Sequence, residues 1–155
     1  MPLLNYTTQI DAFKTISEIQ QLLAKAGASA VLSDYDQNGY IVALSFKIKL
    51  NENELTFRLP TDWRPVLQVL EQQNIPRKLQ TQEQALRVAW RITKDWVQAQ
   101  VAFIETMMVT TAQVFLPYAV TNDGKSLYEY IANNTQMLLG DGSPKAPNPE
   151  KGTLK

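Results

Sequence analysis

The chain has 155 residues, fifteen Lys/Arg against fifteen Asp/Glu, a formal net charge of zero, and neither cysteine nor histidine. The missing cysteine excludes a disulfide framework, a thiolate nucleophile and a cysteine-based metal site, and the missing histidine removes the commonest general base and metal ligand. With 45% apolar and 19% charged residues the composition is that of an ordinary globular domain, and its neutrality argues against an all-over cationic nucleic-acid binder while leaving a local basic patch open.

In chain order, Leu4, Tyr6, Thr8 and Ile10 alternate and predict a short first strand. Thr15-Ile-Ser-Glu18 matches a capping box, and Ile16, Ile19, Leu22, Leu23 and Ala26 follow at helical spacing up to Gly27, a natural left-handed stop. The spacing predicts a helix over 16–26. Asn38-Gly39 is the strongest short hairpin signal; as a two-residue turn it sets Tyr35 opposite Val42, Ser33 opposite Leu44 and Val31 opposite Phe46. From Tyr40 to Leu50 the apolar residues alternate without a break. Reading Asn51–Glu54 as a four-residue loop sets Leu50 opposite Leu55, Ile48 opposite Phe57 and Phe46 opposite Leu59, all on one apolar face.

Pro60 ends the third strand of this meander. A short helix follows over 63–73, with Pro65 in its first turn, where a missing N–H is tolerated. Thr81-Gln-Glu-Gln84 is a second capping box. It opens a long helix over 82–108 whose stripe runs through Leu86, Trp90, Trp96, Val97, Val101 and Met108. At 1.5 Å per residue that helix spans about 40 Å, so it bends or its far part packs on something else. The segment AQVFLPYAV predicts a turn or two of helix broken at Pro117, and Ser126-Leu-Tyr-Glu129 opens a last helix to about Leu139.

The order β-α-β-β-β-α predicts an α+β fold. It comprises a three- to four-stranded antiparallel sheet with helices on one face and a long C-terminal helical region. Residues 1–139 read as a single domain and 140–155, rich in proline and glycine, as a disordered tail. No apolar run approaches the roughly 20 residues that span a bilayer, and MPLLNYTTQID lacks a signal-peptide pattern, so a cytoplasmic protein without a membrane partner is expected.

The register makes the uncovered sheet face the first candidate site. It sets Lys47 opposite Arg58 and Lys49 opposite Thr56, with Ile41, Ala43, Leu32 and Asp34 on the same face. Like charges directly opposed destabilise a ladder, so the clash suggests an anion held there. The plain alternative is a solvated face. The second candidate is Arg87, Arg91 and Lys94, three and four apart on one helix face, where guanidinium groups could grip phosphates. Its alternative is a solvated face with Arg91 paired to Asp95. Trp90 and Trp96 lie on the apolar stripe. Trp63, between Asp62 and Arg64 at a helix start, is the tryptophan most open to stacking on a ligand.

Asp34 and Asp36 share a strand face but have no third ligand in sequence reach, so no metal is expected. No nucleophile–base pair is visible, so no catalytic residue and no cofactor are assigned. A carboxylate-dependent hydrolase or nuclease is the enzymatic alternative. Phe103, Met107, Met108, Phe115, Leu116 and Tyr118 crowd the end of the long helix and the segment after it, and predict burial by a second copy in a homo-oligomer.

The strings LNYTT, SFKI, FRLP, EQALRVAWRITKDWVQAQ and VFLPY together resemble a family of small uncharacterised proteins carried by bacteriophages, prophages and other mobile elements. The resemblance covers about residues 3–131 and implies an accessory protein acting in the host cytoplasm; it transfers no site. The α-β-β-β-α core is also similar in outline to double-stranded-RNA-binding domains and to annealing proteins of phage recombination. It lacks the Lys-rich start of the last helix usual in the former. The expected function is non-enzymatic binding of a phosphate-bearing ligand, nucleic acid or nucleotide, through Lys47, Lys49, Arg58, Arg87, Arg91 and Trp63. The alternative is an oligomeric protein-interaction module, for host takeover or counter-defence, acting through its long helix.

Overall fold

A computed structural model describes residues 1–140, so the tail expected over 140–155 lies, but for Gly140, outside the described residues. The elements run α1 (Ala12–Lys25), β1 (Ala30–Tyr35), β2 (Ile41–Leu50), β3 (Asn53–Arg58), α2 (Trp63–Gln72), α3 (Gln82–Glu105), α4 (Thr111–Phe115) and α5 (Leu127–Ala132). Short 3-10 turns lie at Arg77–Leu79, Leu116–Tyr118 and Thr135–Leu138. The fold is α+β. Among the described residues the sheet has three antiparallel strands in the order β1-β2-β3.

The unbroken alternation of β2 explains its central place. Leu44, Phe46 and Ile48 point to one face, where with Phe57 they join Ile16, Ile19 and Leu23 of α1 and Leu86, Trp90 and Val97 of α3 in one buried cluster. Each such side chain contributes about 1.5–3 kcal/mol by leaving water. Phe46 stacks on Phe57 at 5.3 Å and meets Phe115 of α4 edge-on at 5.2 Å. A smaller cluster of Leu70, Ile75 and Ala85 seats α2 on α3, and Trp63 packs against both clusters.

The first strand does not form. Residues 3–8 make tight turns instead, with Asn5 at φ 65° and backbone bonds from Tyr6 to Leu3 and from Thr8 to Asn5. Side chains from the helices hold this segment. Gln84 Nε2 donates to the carbonyls of Tyr6 and Thr8, and Asn5 Nδ2 donates to Asp95. Leu3 and Tyr6, three residues apart, rest on the smaller cluster while Leu4 is exposed, so the segment packs on the helices rather than joining a ladder.

Both hairpin turns differ from the reading, with different consequences. At the first, Asp36 N–H donates to Tyr40 O, leaving the three-residue loop Gln37–Gly39, in which Gly39 takes the left-handed conformation at φ 82°. The Asp36 carboxylate accepts from the Asn38 and Tyr40 amides. A bulge between Asp34 and Tyr35 absorbs the extra residue, so Val31 still faces Phe46 and Ser33 still faces Leu44, while Tyr35 faces Ile41 rather than Val42. Ile41, expected on the open face, therefore joins the core. Its carbonyl accepts from Trp90 Nε1 at 3.2 Å.

At the second turn the loop is only Asn51-Glu52, with Asn51 at φ 57°. The register moves by two residues: Phe46 faces Phe57, Ile48 faces Leu55 and Lys47 faces Thr56. A two-residue shift leaves every side chain on its expected face, so the hydrophobic pattern cannot detect it.

The helix ends follow local chemistry. Asp11 caps α1 by accepting from the Phe13 amide at 2.7 Å, four residues before the expected start, and Thr15 is buried instead. Thr81 caps α3, and Gln84, expected to complete the box, reaches the N-terminal turns. Thr110 and Gln113 form a full capping box on α4. The last helix stops at Ala132, short of Leu139, and continues only as a 3-10 turn.

The far part of α3 is covered within the chain. Trp96 meets Phe115 and Tyr118 edge-on at 5.6 and 5.5 Å, and Lys25 pairs with Glu105. Phe103, Met107 and Met108 stay exposed at its end.

Candidate ligand cleft

The register correction removes the expected Lys–Arg clash. Arg58 faces Ser45, not Lys47, and its guanidinium reaches diagonally across the short side chains of β2 to Asp34 at 2.8 Å. Lys49 faces Glu54 rather than Thr56. Ala43, expected to be open on this face, is buried.

The helix-face arginines are tied up separately. Arg87 bonds Glu83 and Gln84 within α3. Arg91 crosses to α1, where it bonds Glu18 at 2.7 Å and Thr15 at 3.5 Å, with its side chain only 16% exposed. The expected Arg91–Asp95 pair is replaced by this cross-helix pair, because α1 lies against that side of α3. Asp95 accepts from Asn5 instead.

A cleft of about 750 Å³ opens at the end of the sheet where β3 runs out. Its floor is Val42 and Ala43 of β2. One wall is the β3 exit and the start of α2, from Arg58 to Arg64. The opposite wall is the segment after α4, with Tyr118, Val120, Ser126, Tyr128 and Glu129.

That second wall is pinned to the sheet edge. Val120 N–H donates to Thr56 O at 2.8 Å, Thr121 N–H to Lys125 O at 2.8 Å and Leu127 N–H to Ala119 O at 2.7 Å. The result is a small hairpin turning at Asn122–Gly124, with Gly124 at φ 82°. Thr121 hydroxyl and Lys125 amide both donate to Asp123. The Thr121 bond in particular holds the Asp123 carboxyl below its ordinary value.

On the first wall the Asp62 carboxylate caps α2 and accepts from both the Arg64 amide and the Arg64 guanidinium at 3.0 Å. The guanidinium bond depresses the Asp62 carboxyl and raises Arg64, with partial burial of Asp62 opposing.

Of the residues nominated from sequence, the cleft brings together Arg58 and Trp63. Lys47 and Lys49 lie further along the uncovered sheet face, and Arg87 and Arg91 sit on α3 away from the cleft lining. Arg64, Tyr118, Ser126, Tyr128 and Glu129 were not nominated. The Asn-Asp-Gly turn was legible, but nothing in the sequence says that its flanks lie against the edge of β3. Among the described residues no group of three or more Asp/Glu could hold a metal ion, and no helix is long and apolar enough to cross a membrane. No family model, no curated protein and no solved structure matches this chain.

Proposed function

We propose that this protein is a non-enzymatic binding module that holds a nucleotide-sized, phosphate-bearing ligand in the cleft. The observation that carries the reading is convergence. Two arginines, Arg58 and Arg64, and three aromatic rings, Trp63, Tyr118 and Tyr128, arrive at one concavity from three parts of the chain. Its volume falls within the roughly 300–1,000 Å³ usual for small-molecule sites. Guanidinium groups suit phosphate through paired hydrogen bonds, and the rings offer faces for a base.

The pairing of Arg58 with Asp34 does not block this use. The Arg58–Asp34 pair is about half exposed on both sides, and exposed pairs contribute only about 0–1 kcal/mol, so a phosphate can displace Asp34 at small cost. Arg91, held between two helices, has no such freedom. A nucleotide is favoured over a long nucleic-acid strand because Arg58 and Arg64 line one bounded cleft while Lys47, Lys49, Arg87 and Arg91 lie outside its lining. In the phage or mobile-element setting that the sequence resemblance implies, such a module would sequester a nucleotide signal.

Titration calorimetry at low salt with a panel of nucleoside mono- and diphosphates tests the proposal. The expected result is saturable binding that weakens with salt and falls about tenfold or more, 1.4 kcal/mol, in Arg58→Ala. Absence of binding to the whole panel overturns it. Tighter binding to a single-stranded oligonucleotide than to any mononucleotide would assign the function to nucleic acid instead.

A second reading, homo-oligomerisation, draws on the exposed Phe103, Met107 and Met108 at the end of α3. Light scattering should then report a mass that rises with concentration; a constant monomer mass removes it.

A further inference from the structure

The cleft has a neighbour. A shallower chamber of about 260 Å³ adjoins it, sharing Pro60, Thr61, Asp62 and Tyr118. Beyond those shared residues it is lined by Val66 of α2 and by Ala89, Ile92, Thr93 and Trp96 of α3. Its threonine hydroxyls and its carboxylate are already engaged. The hydroxyls of Thr61 and Thr93 bond each other at 2.7 Å, and Thr93 also donates to the Ala89 carbonyl at 2.8 Å. Asp62 is taken by Arg64 and the start of α2. Val66, Ile92 and Trp96 are left partly in water.

A chamber whose walls are mostly apolar and whose threonine hydroxyls are paired favours apolar surface. A polar group placed against Val66, Ile92 and the paired threonines would lose water without gaining a partner. Covering Val66, Ile92 and Trp96 removes their remaining apolar area from water, which is favourable.

We infer that the ligand of this protein is a phosphate ester carrying a short apolar group, with the phosphate-bearing part in the larger cleft and the apolar group in the chamber beside it. The inference rests on the proposed use of the cleft and adds the chemical class of the ligand. Continuity commits the chamber to the same molecule. The two spaces adjoin at the residues they share, Pro60, Thr61, Asp62 and Tyr118, so a nucleotide-sized ligand in one can extend toward the other.

The test compares adenosine 5′-monophosphate with its N6-isopentenyl derivative by calorimetry. The wild-type protein and two chamber-filling variants, Ile92→Trp and Val66→Phe, are used. Thermal melts first establish that each variant folds; the two substitutions lie on different helices, so one serves if the other does not fold. Each buried CH2 is worth about fourfold in affinity, so the five-carbon group is expected to tighten binding about tenfold or more, even with incomplete burial. In the filled variants that preference should fall to about one while affinity for the unsubstituted nucleotide stays unchanged. Equal affinity for the two nucleotides in the wild type overturns the inference and leaves the cleft reading standing. So does a preference that survives filling, which would place the apolar group elsewhere. Binding of neither compound overturns the inference, and only a blank result across the whole nucleotide panel overturns the cleft reading with it.

Discussion

The seam between α1 and α3 and the cleft at the end of the sheet each hold an arginine bonded to a carboxylate, and the two pairs do different things. In the seam, Arg91 is 16% exposed and Glu18 about one-third, and the pair joins two helices whose apolar stripes lie beneath it. In the cleft, Arg58 and Asp34 are both about half exposed and span the open face of a sheet. Water screens the second pair and largely spares the first, so the same chemistry is a tie in one place and an exchangeable contact in the other. Residue type and expected position on an open face, which single out both arginines, do not distinguish these roles; burial does.

Substitutions in the seam should cost most. Trp90 is fully buried and donates to the Ile41 carbonyl, so Trp90→Ala should destabilise by about 3–5 kcal/mol in denaturant unfolding. A loss below about 1 kcal/mol would mean that the α3 stripe is not seated on the sheet as described.

Arg91→Ala removes a charged hydrogen bond from a partly buried carboxylate, and a loss of about 1.5–3 kcal/mol is expected. A double-mutant cycle with Glu18→Ala should return a coupling that survives added salt. The corresponding cycle between Arg58 and Asp34 should return less than about 1 kcal/mol and shrink with salt. Equal couplings at the two sites would erase the contrast.

The smallest effect is on pH dependence. Arg64 holds the Asp62 carboxyl below its ordinary value, so the charged form is favoured in the folded state. The resulting stability is fully present above the ordinary aspartate value of about 3.9 and is lost as pH falls through the lowered one. Asp62→Asn keeps a good helix cap but loses the charge. Its melting temperature should lie below wild type at pH 6, and the gap should begin to narrow only below about pH 4. A gap independent of pH would contradict the assignment.

Much of the fold was legible because its periods are strong. The alternation of β2 and the stripe of α3 each name the residues that meet in the core. The parts that escaped have identifiable physical causes. Leu4 to Ile10 alternates like a strand, but side-chain bonds to Gln84 and Asp95 outcompete a ladder, and those partners lie more than seventy residues away. The second hairpin shifted by two residues, a change invisible to hydrophobic patterning that nonetheless turned an apparent Lys47–Arg58 clash into an Arg58–Asp34 pair. The cleft was the least legible part. Its walls come from residues near 42, 58–64 and 117–129, and the pinning of Val120 to Thr56, with Trp96 against Tyr118, brings the last of these into place. Trp63 was nominated because it begins a helix between two charges, and that position is what puts it on the cleft wall.

The most direct test of the central claim is nuclear magnetic resonance of the indole N–H and arginine Nε–H signals during titration with adenosine 5′-monophosphate. The three tryptophans report three environments: Trp63 the cleft, Trp96 the adjoining chamber and Trp90 the core. The account predicts that Trp63, Arg58 and Arg64 shift together along one saturable curve while Trp90, Arg87 and Arg91 stay in place. Shifts confined to Arg87 and Arg91, or no shift of Trp63 at saturating nucleotide, would contradict it.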